Sequence, residues 1–299
     1  MKFSSIILLG VTAVVVALTG CTKKSPSDSA AGSGAVLKFT AIPDQNKVAL
    51  QAKFDPVAEY LTEKLGVTCE YVPSTDYSAS VQMFEAGDVH IAWFGGLTGV
   101  QAMHNVKGAR AIAQGLADPN FMSYFIAHKD TGLTASESFP KAMAGKTFTF
   151  GSNKSTSGRL MPEYFIRENT GKSPEEFFGQ KPGFSGAHDF TIDLVASGQV
   201  QVGAVNFKTY DSWAEKAGSD TEACRIIWKT PTYYDYNFTA HPALETLFGD
   251  GFTDRLQSAL IEMDGALAKS AFNREKLITA KNSDFETIVK VATDLGFLR

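Results

Sequence analysis

Phe148-Thr149-Phe150-Gly151-Ser152-Asn153-Lys154-Ser155-Thr156-Ser157-Gly158 reads as a strand that ends at a glycine, a polar loop, and a run of hydroxyl residues opening a helix. A strand-to-helix turn of this kind is the repeating unit of an α/β protein. The N-terminus of a helix leaves backbone N–H groups without intrahelical acceptors and carries about half a positive charge. Ser155, Thr156 and Ser157 beside those amides would make a donor-rich cup for a small anion. One of the hydroxyls could equally serve only as the helix cap, and on this segment alone both readings stand. Pro162 lacks an N–H, so it is expected to kink the opening turn or to start the main helix after it. The segment is not a P-loop, because Lys154 comes too early and no glycine precedes it; nucleotide binding is disfavoured.

Outward from this turn, strand-like and helix-like patterns alternate along the chain. Strands are expected over 36–42, 67–72, 89–94, 109–114, 121–128, 147–150, 200–205 and 226–229. The spacing of Leu50, Phe54, Val57, Leu61 and Leu65 predicts a helix over 48–65 that stops at Gly66. Further helices are expected over 78–86, 97–105, 163–168 and 190–197, and the tail reads as helical over 252–271, 277–280 and 285–295. Long strands near Phe121–His128 and Trp228–Phe238 are candidates for two crossovers between lobes. That divides the chain into lobe 1 (36–120 and 235–299) and lobe 2 (121–234).

Residues 1–21 read as an export signal. Lys2 supplies positive charge, and an apolar run from Ile6 to Leu18 follows, too short to span a membrane. Leu18-Thr19-Gly20-Cys21 resembles the bacterial lipobox, in which the cysteine is acylated and becomes the mature N-terminus. Residues 22–35, rich in Ser, Ala and Gly, suit a flexible tether. The chain is therefore expected outside the cytoplasm, held to a membrane only by a lipid on Cys21. About 265 residues remain beyond the tether, enough for one large core or two modest ones. A net charge of −4 argues against a nucleic-acid partner and means that any anion must be caught by a local site. Cys69 and Cys224 both fall in expected strands of different lobes and are read as buried free thiols. No Cys/His spacing suggests a metal, and no cofactor is expected.

Two other turns could face a ligand. Ala92-Trp93-Phe94-Gly95-Gly96-Leu97-Thr98 is a second strand-to-helix turn whose glycines would admit close approach, or serve the turn alone. In Gly183-Phe184-Ser185-Gly186-Ala187-His188-Asp189, His188 could donate to an anion while Asp189 caps the following helix. Asp76-Tyr77 offers a phenol ahead of another helix. A hydrolase has less support: there is no Gly-x-Ser-x-Gly elbow, and no base is fixed beside the hydroxyl cluster in the sequence. Glycosidase chemistry needs a positioned carboxylate pair, which the sequence does not single out.

Pro73-Ser74-Thr75-Asp76-Tyr77, Ala92-Trp93-Phe94-Gly95, Ser155-Thr156-Ser157-Gly158 with Pro162, and Gly186-Ala187-His188-Asp189, in that order behind a lipobox, resemble the phosphonate-type substrate-binding proteins of ABC importers. The resemblance runs from about Leu37 to Leu298, and strings such as Trp93-Phe94-Gly95-Gly96-Leu97 are similar to a subgroup described as selenate binders. It implies a type II periplasmic-binding-protein fold, two α/β lobes with the ligand in the cleft. Ser155, Thr156 and Ser157 would hold the anion oxygens, His188 would add a donor, Tyr77 would reach across, and Trp93 and Phe94 would wall the cleft. Where aminoalkyl-phosphonate binders place acidic groups, this chain has Asn206-Phe207-Lys208; Asn206 is kept as a candidate contact and Asp235 as one acidic wall. The expected function is that of a monomeric, non-enzymatic receptor. It would capture a compact oxyanion (phosphonate, phosphite or selenate) and hand it to an ABC permease and its ATPase. A sulfonate or thiamine-precursor binder of the same fold, or a secreted serine hydrolase, are the alternatives.

Overall fold

The structure is a computed structural model that describes residues 34–298. Cys21, the export signal and most of the tether lie outside the described residues. In chain order the first elements are β1 (Leu37–Ala41), α1 (Lys47–Leu65), β2 (Cys69–Tyr71), α2 (Tyr77–Glu85), β3 (Ile91–Phe94), α3 (Gly96–Asn105) and β4 (Arg110–Gly115). The middle of the chain supplies β5 (Ser123–His128), β6 (Phe148–Phe150), α4 (Met161–Thr170), α5 (Pro174–Phe178), β7 (Gly183–Phe184), α6 (His188–Ala196), β8 (Val202–Asn206), α7 (Phe207–Ala214) and β9 (Cys224–Lys229). The last part holds β10 (Asn237–Ala240), α8 (Ala243–Phe248), α9 (Phe252–Ile261), α10 (Gly265–Phe272), β11 (Leu277–Thr279) and α11 (Glu286–Asp294).

The strands form two mixed sheets. One has the order β11-β4-β10-β3-β1-β2, the other β7-β6-β8-β5-β9. In the first, β1 pairs in parallel with β2 and β3, and β10 runs antiparallel between β3 and β4. In the second, β6 is parallel to β7 and β8, and β5 is antiparallel to β8 and β9. Every residue of β3 and of β8 is buried, as expected of central strands covered on both faces. α1 is capped by the Asn46 side chain and ends at Gly66 in the left-handed conformation, the stop expected of that glycine. Cys69 and Cys224 are free and buried, one in each sheet, and burial pushes both thiols up to about 12.

Several expectations are corrected. The helix over 252–271 is two helices, because Asp264 caps a new one with its side chain on the Ala266 N–H. The segment 277–280 is not helical: Leu277–Thr279 is an edge strand, antiparallel to β4. Three residues carry no periodicity of their own, so the neighbouring strand decides their state. α6 starts at His188, earlier than expected, and Asp189 does not cap it; its carboxylate accepts instead from the N–H groups of Asn46 and Phe190. α5, α7 and α8 were not anticipated.

The chain passes between the sheets twice, through residues 116–122 and 230–236, and neither passage is one unbroken strand. The two lie side by side, joined by reciprocal Phe121–Tyr233 backbone bonds of 2.9 Å. Beside them Arg274 donates to Asp118 from Nε at 2.9 Å and from Nη2 at 2.6 Å, a fully buried, two-pronged pair. Its guanidinium lies over the rings of Trp93, Phe121 and Tyr236. Gly115 leaves room for this pair: a Cβ there would fall 2.5 Å from Arg274 Cγ and 2.6 Å from Asp118 Oδ2. Gly115→Ala should therefore force the pair apart and cost about 3 kcal/mol of unfolding free energy in urea denaturation. A loss below about 1 kcal/mol would show that the pair moves aside freely.

Candidate anion-binding site

The hydroxyl loop after β6 does open a helix, but first as a π turn over Thr156–Leu160, closed by Leu160 N–H on the Ser155 carbonyl at 3.0 Å. Pro162 then stands near the start of α4, the second of the two roles expected of it. Ser155 caps the turn, its Oγ accepting from the Gly158 N–H at 2.9 Å. The cap reading thus holds for Ser155, and two hydroxyls remain. Thr156 Oγ1 accepts from the Leu97 N–H at 2.9 Å, and Leu97 is in the first turn of α3 on the other sheet. Ser157 gives its carbonyl to the Ser123 hydroxyl at 2.7 Å, and Ser123 Oγ lies 2.6 Å from the Tyr233 hydroxyl.

The first turn of α3 therefore meets the first turn of the π segment. Gly95 and Gly96 permit it: a Cβ on Gly95 would lie 3.1 Å from Thr156 Oγ1 and 3.2 Å from Asp235 Oδ1. Two helix N-termini facing each other leave N–H donors that need an acceptor between them. Asp235 supplies it, with Oδ1 accepting from the Gly96 N–H at 2.8 Å. Its other oxygen, Oδ2, is buried and has no partner. Burial pushes this carboxyl up to about 7, with the nearby Asp118 charge adding to the rise. The Gly96 N–H and the Thr156 and Ser157 hydroxyls pull the other way. A folded value of about 7 against an ordinary 3.8 means its contribution to stability is complete below about pH 4 and lost as pH rises through 7.

His188, first residue of α6, sits on the other side of the loop. Its Nδ1 accepts from the Asn206 N–H at 3.3 Å, and Nε2 lies 3.5 Å from Ser155 Oγ. An accepting Nδ1 places the proton on Nε2, so the neutral ring presents a donor to the hydroxyl loop. Burial pushes the imidazole down to about 3, so it is uncharged at neutral pH. Tyr77 enters from the first turn of α2, where Asp76 is the cap. Its hydroxyl is buried without a hydrogen-bond partner, though the Ser155 side chain is near enough to temper the rise in its pKa that burial causes. Tyr77 Oη and Asp235 Oδ2 are thus two unpartnered buried oxygens at one hydroxyl loop.

The remaining candidates divide. Trp93 stacks on Tyr236 at 5.4 Å between centroids and packs on Phe238 and Phe272, near the site. Phe94, one residue on along the strand, points to the opposite face and packs edge-on against Phe84 in the core. Asn206 caps α7 through Thr209 N–H and donates from Nδ2 to the Tyr236 hydroxyl at 3.3 Å, which in turn donates to Asp44 Oδ2 at 2.7 Å. Ser123, Tyr233, Tyr236 and Asp44 were not anticipated. The run Tyr233-Tyr234-Asp235-Tyr236, three phenols around a carboxylate, is a signal that could have found Tyr233 and Tyr236; no local pattern marks Ser123 or Asp44.

The chain belongs to the family described as "ABC transporter, phosphonate, periplasmic substrate-binding protein", which it matches over residues 39–285. It is accordingly an extracytoplasmic substrate-binding component of an ABC transporter with a periplasmic-binding-protein fold, and not an enzyme. It is 38% identical to "Probable ABC transporter phosphite binding protein PhnD1" of Prochlorococcus marinus (strain MIT 9301), over 88% of this chain and 91% of that one. It is 30% identical to "Phosphate-import protein PhnD" of Mycolicibacterium smegmatis, over 74% and 71% of the two chains. The solved structure of the P. marinus PhnD1 with methylphosphonate superimposes with a TM-score of 0.83, covering 89% of this chain and all of that one.

Tyr77→Phe separates a ligand contact from a packing role. Deleting an unpaired buried hydroxyl should leave stability unchanged or raise it by about 1 kcal/mol, while affinity for the bound anion falls roughly tenfold. Thermal denaturation and calorimetric titration read the two effects; a variant with full affinity would remove Tyr77 from the site.

Proposed function

We propose that this protein captures a small phosphorus oxyanion that carries a proton, such as phosphite or methylphosphonate. The observation that supports it most is the pair of unpartnered oxygens: a buried phenol donor and a buried carboxylate face one loop of hydroxyls, amides and a neutral His188 Nε2–H. Ser155, Thr156 and Ser157 with the turn's first amides bind the charged oxygens, and Tyr77 and His188 donate to the same group. Asp235 Oδ2 shares a proton with the remaining oxygen, either donating its own or accepting the ligand's P–OH. Trp93 forms a wall. Asn206 positions His188 and Tyr236.

Lobe 1 (36–120 with 235–299) and lobe 2 (121–234) close on the ligand, because the anion completes bonds that an open form lacks. The monomer is anchored by a lipid on Cys21 and delivers its load to a permease driven by an ATPase. The names of the relatives, which mention phosphite, phosphate and methylphosphonate, agree with a compact phosphorus ligand. Selenate and sulfate bring no proton at neutral pH and can bind only molecules in which Asp235 already carries one, whereas phosphite can bring its own, so selenate is disfavoured. An aminoalkyl phosphonate finds no free carboxylate beside Asn206, since Asp44 is held by Tyr236. Sulfonates are disfavoured for the same reason as selenate.

A serine hydrolase also fails on geometry. The fold does bring a histidine to Ser155, which the sequence did not show, but its Nδ1 accepts from a backbone N–H instead of donating to a carboxylate. The Nε2–H tautomer then cannot take the serine proton.

Isothermal titration against phosphite, methylphosphonate, phosphate, selenate, sulfate and 2-aminoethylphosphonate is expected to rank the first two tightest. Affinity should fall as pH rises through the Asp235 value of about 7. Asp235→Asn, which can still donate, should flatten that fall. Tightest binding of selenate or of the amine-bearing ligand, or an unchanged pH profile in the variant, would refute the proposal.

A further inference from the structure

α10 ends at Phe272, and Asn273 follows in the left-handed conformation at φ 54°, ψ 39°. It is the one non-glycine residue with positive φ among the described residues. Glycine fills such a cap at lower cost, so an asparagine here is explained by what its side chain does. Nδ2 donates to the Lys208 carbonyl at 3.2 Å and to Ser212 Oγ at 2.8 Å, both on α7. α10 packs with the first sheet, through Phe272 on Phe54 and Trp93, whereas α7 follows β8 of the second. The contact therefore spans the two layers, and Asn273 lines a small cavity with Trp93, Asn206 and Tyr236, away from the hydroxyl loop at Ser155–Ser157.

Its position matters because of what adjoins it at both ends. α7 is capped by Asn206, whose backbone N–H fixes the His188 tautomer and whose side chain reaches Tyr236. The next residue after Asn273 is Arg274, which also gives Nη1 to the Phe272 carbonyl and holds Asp118 on the first inter-sheet passage. The Asp118 carbonyl accepts from the Asp235 N–H at 3.2 Å on the second passage. Asn273-Arg274 thus joins α7, both passages and the backbone of the site's carboxylate in one continuous set of bonds.

We propose that Asn273 is a positioning residue for ligand capture: it ties α7 to α10 and so sets the closed arrangement of the two layers without touching the ligand. This rests on the reading of the two sheets as lobes that close. Asn273→Gly keeps the left-handed backbone and deletes both bonds. Asn273→Asp keeps the shape but turns a carboxylate toward the Lys208 carbonyl. In stopped-flow measurements with phosphite, dissociation from both variants should quicken roughly five- to fiftyfold. Association and the urea midpoint should stay near those of the parent, a split that a merely structural residue would not produce. Because these bonds also hold part of the ligand-free population closed, small-angle scattering of the ligand-free variants should show a larger radius of gyration. Parent-like dissociation in Asn273→Gly, or a fast Asn273→Asp beside a parent-like Asn273→Gly, would overturn the proposal. If the parent itself binds neither phosphite nor methylphosphonate, the functional reading fails, and unchanged scattering in both ligand-free variants would then overturn the strut on its own.

Discussion

Two helix ends of like polarity, the first turn of α3 and the π turn at Thr156, are brought within hydrogen-bond distance in a space closed to water. Neither end could be left there without compensation, because unsatisfied N–H groups and convergent dipoles both cost free energy. Thr156 Oγ1 satisfies Leu97, and the Asp235 carboxylate satisfies Gly96. The same arrangement leaves one carboxylate oxygen and one phenol unpaired. The arrangement is thus incomplete in hydrogen bonding at two buried oxygens, and that incompleteness is what a ligand can use.

The electrostatic consequence is specific. A dianion beside an ionised Asp235 would be repelled, whereas a proton placed between them turns repulsion into a short hydrogen bond. Burial already holds the carboxyl near neutrality in its proton affinity, so the proton comes at little cost around pH 7. His188 complements this by remaining uncharged and fixed as a donor. Discrimination then favours an oxyanion that can bring a proton of its own, a property that size and overall charge do not report. The Asp118–Arg274 pair and the stacked Trp93 and Tyr236 rings hold the passage that bears Asp235, which keeps the carboxylate in place.

Much of this was readable from the chain because it is local. The hydroxyl run at Ser155–Ser157 sits directly after a strand and before a helix, and Pro162 marks the second start. The two cysteines lie in β-branched surroundings that predict burial. What was not readable is pairing over distance. Gly96 and Asp235 are 139 residues apart, and Ser155 and His188 are 33 apart, so no spacing rule joins them. β11 shows the same limit, since only its neighbour makes it a strand. Phe94 is different: strand parity alone sets it opposite Trp93, and the family likeness hid a fact that alternation supplies. Asp189 looked like a cap because it precedes an apolar helix, yet the Asn46 N–H claims it.

On this reading the bound anion and Asp235 hold one proton between them. Titration calorimetry of phosphite near pH 8, repeated in buffers of different ionisation enthalpy, counts the protons taken up on binding. Because carboxyl and ligand are both largely deprotonated there, the account predicts uptake of close to one proton in the parent and close to none in Asp235→Asn. Tight binding with heats independent of the buffer in the parent would contradict it.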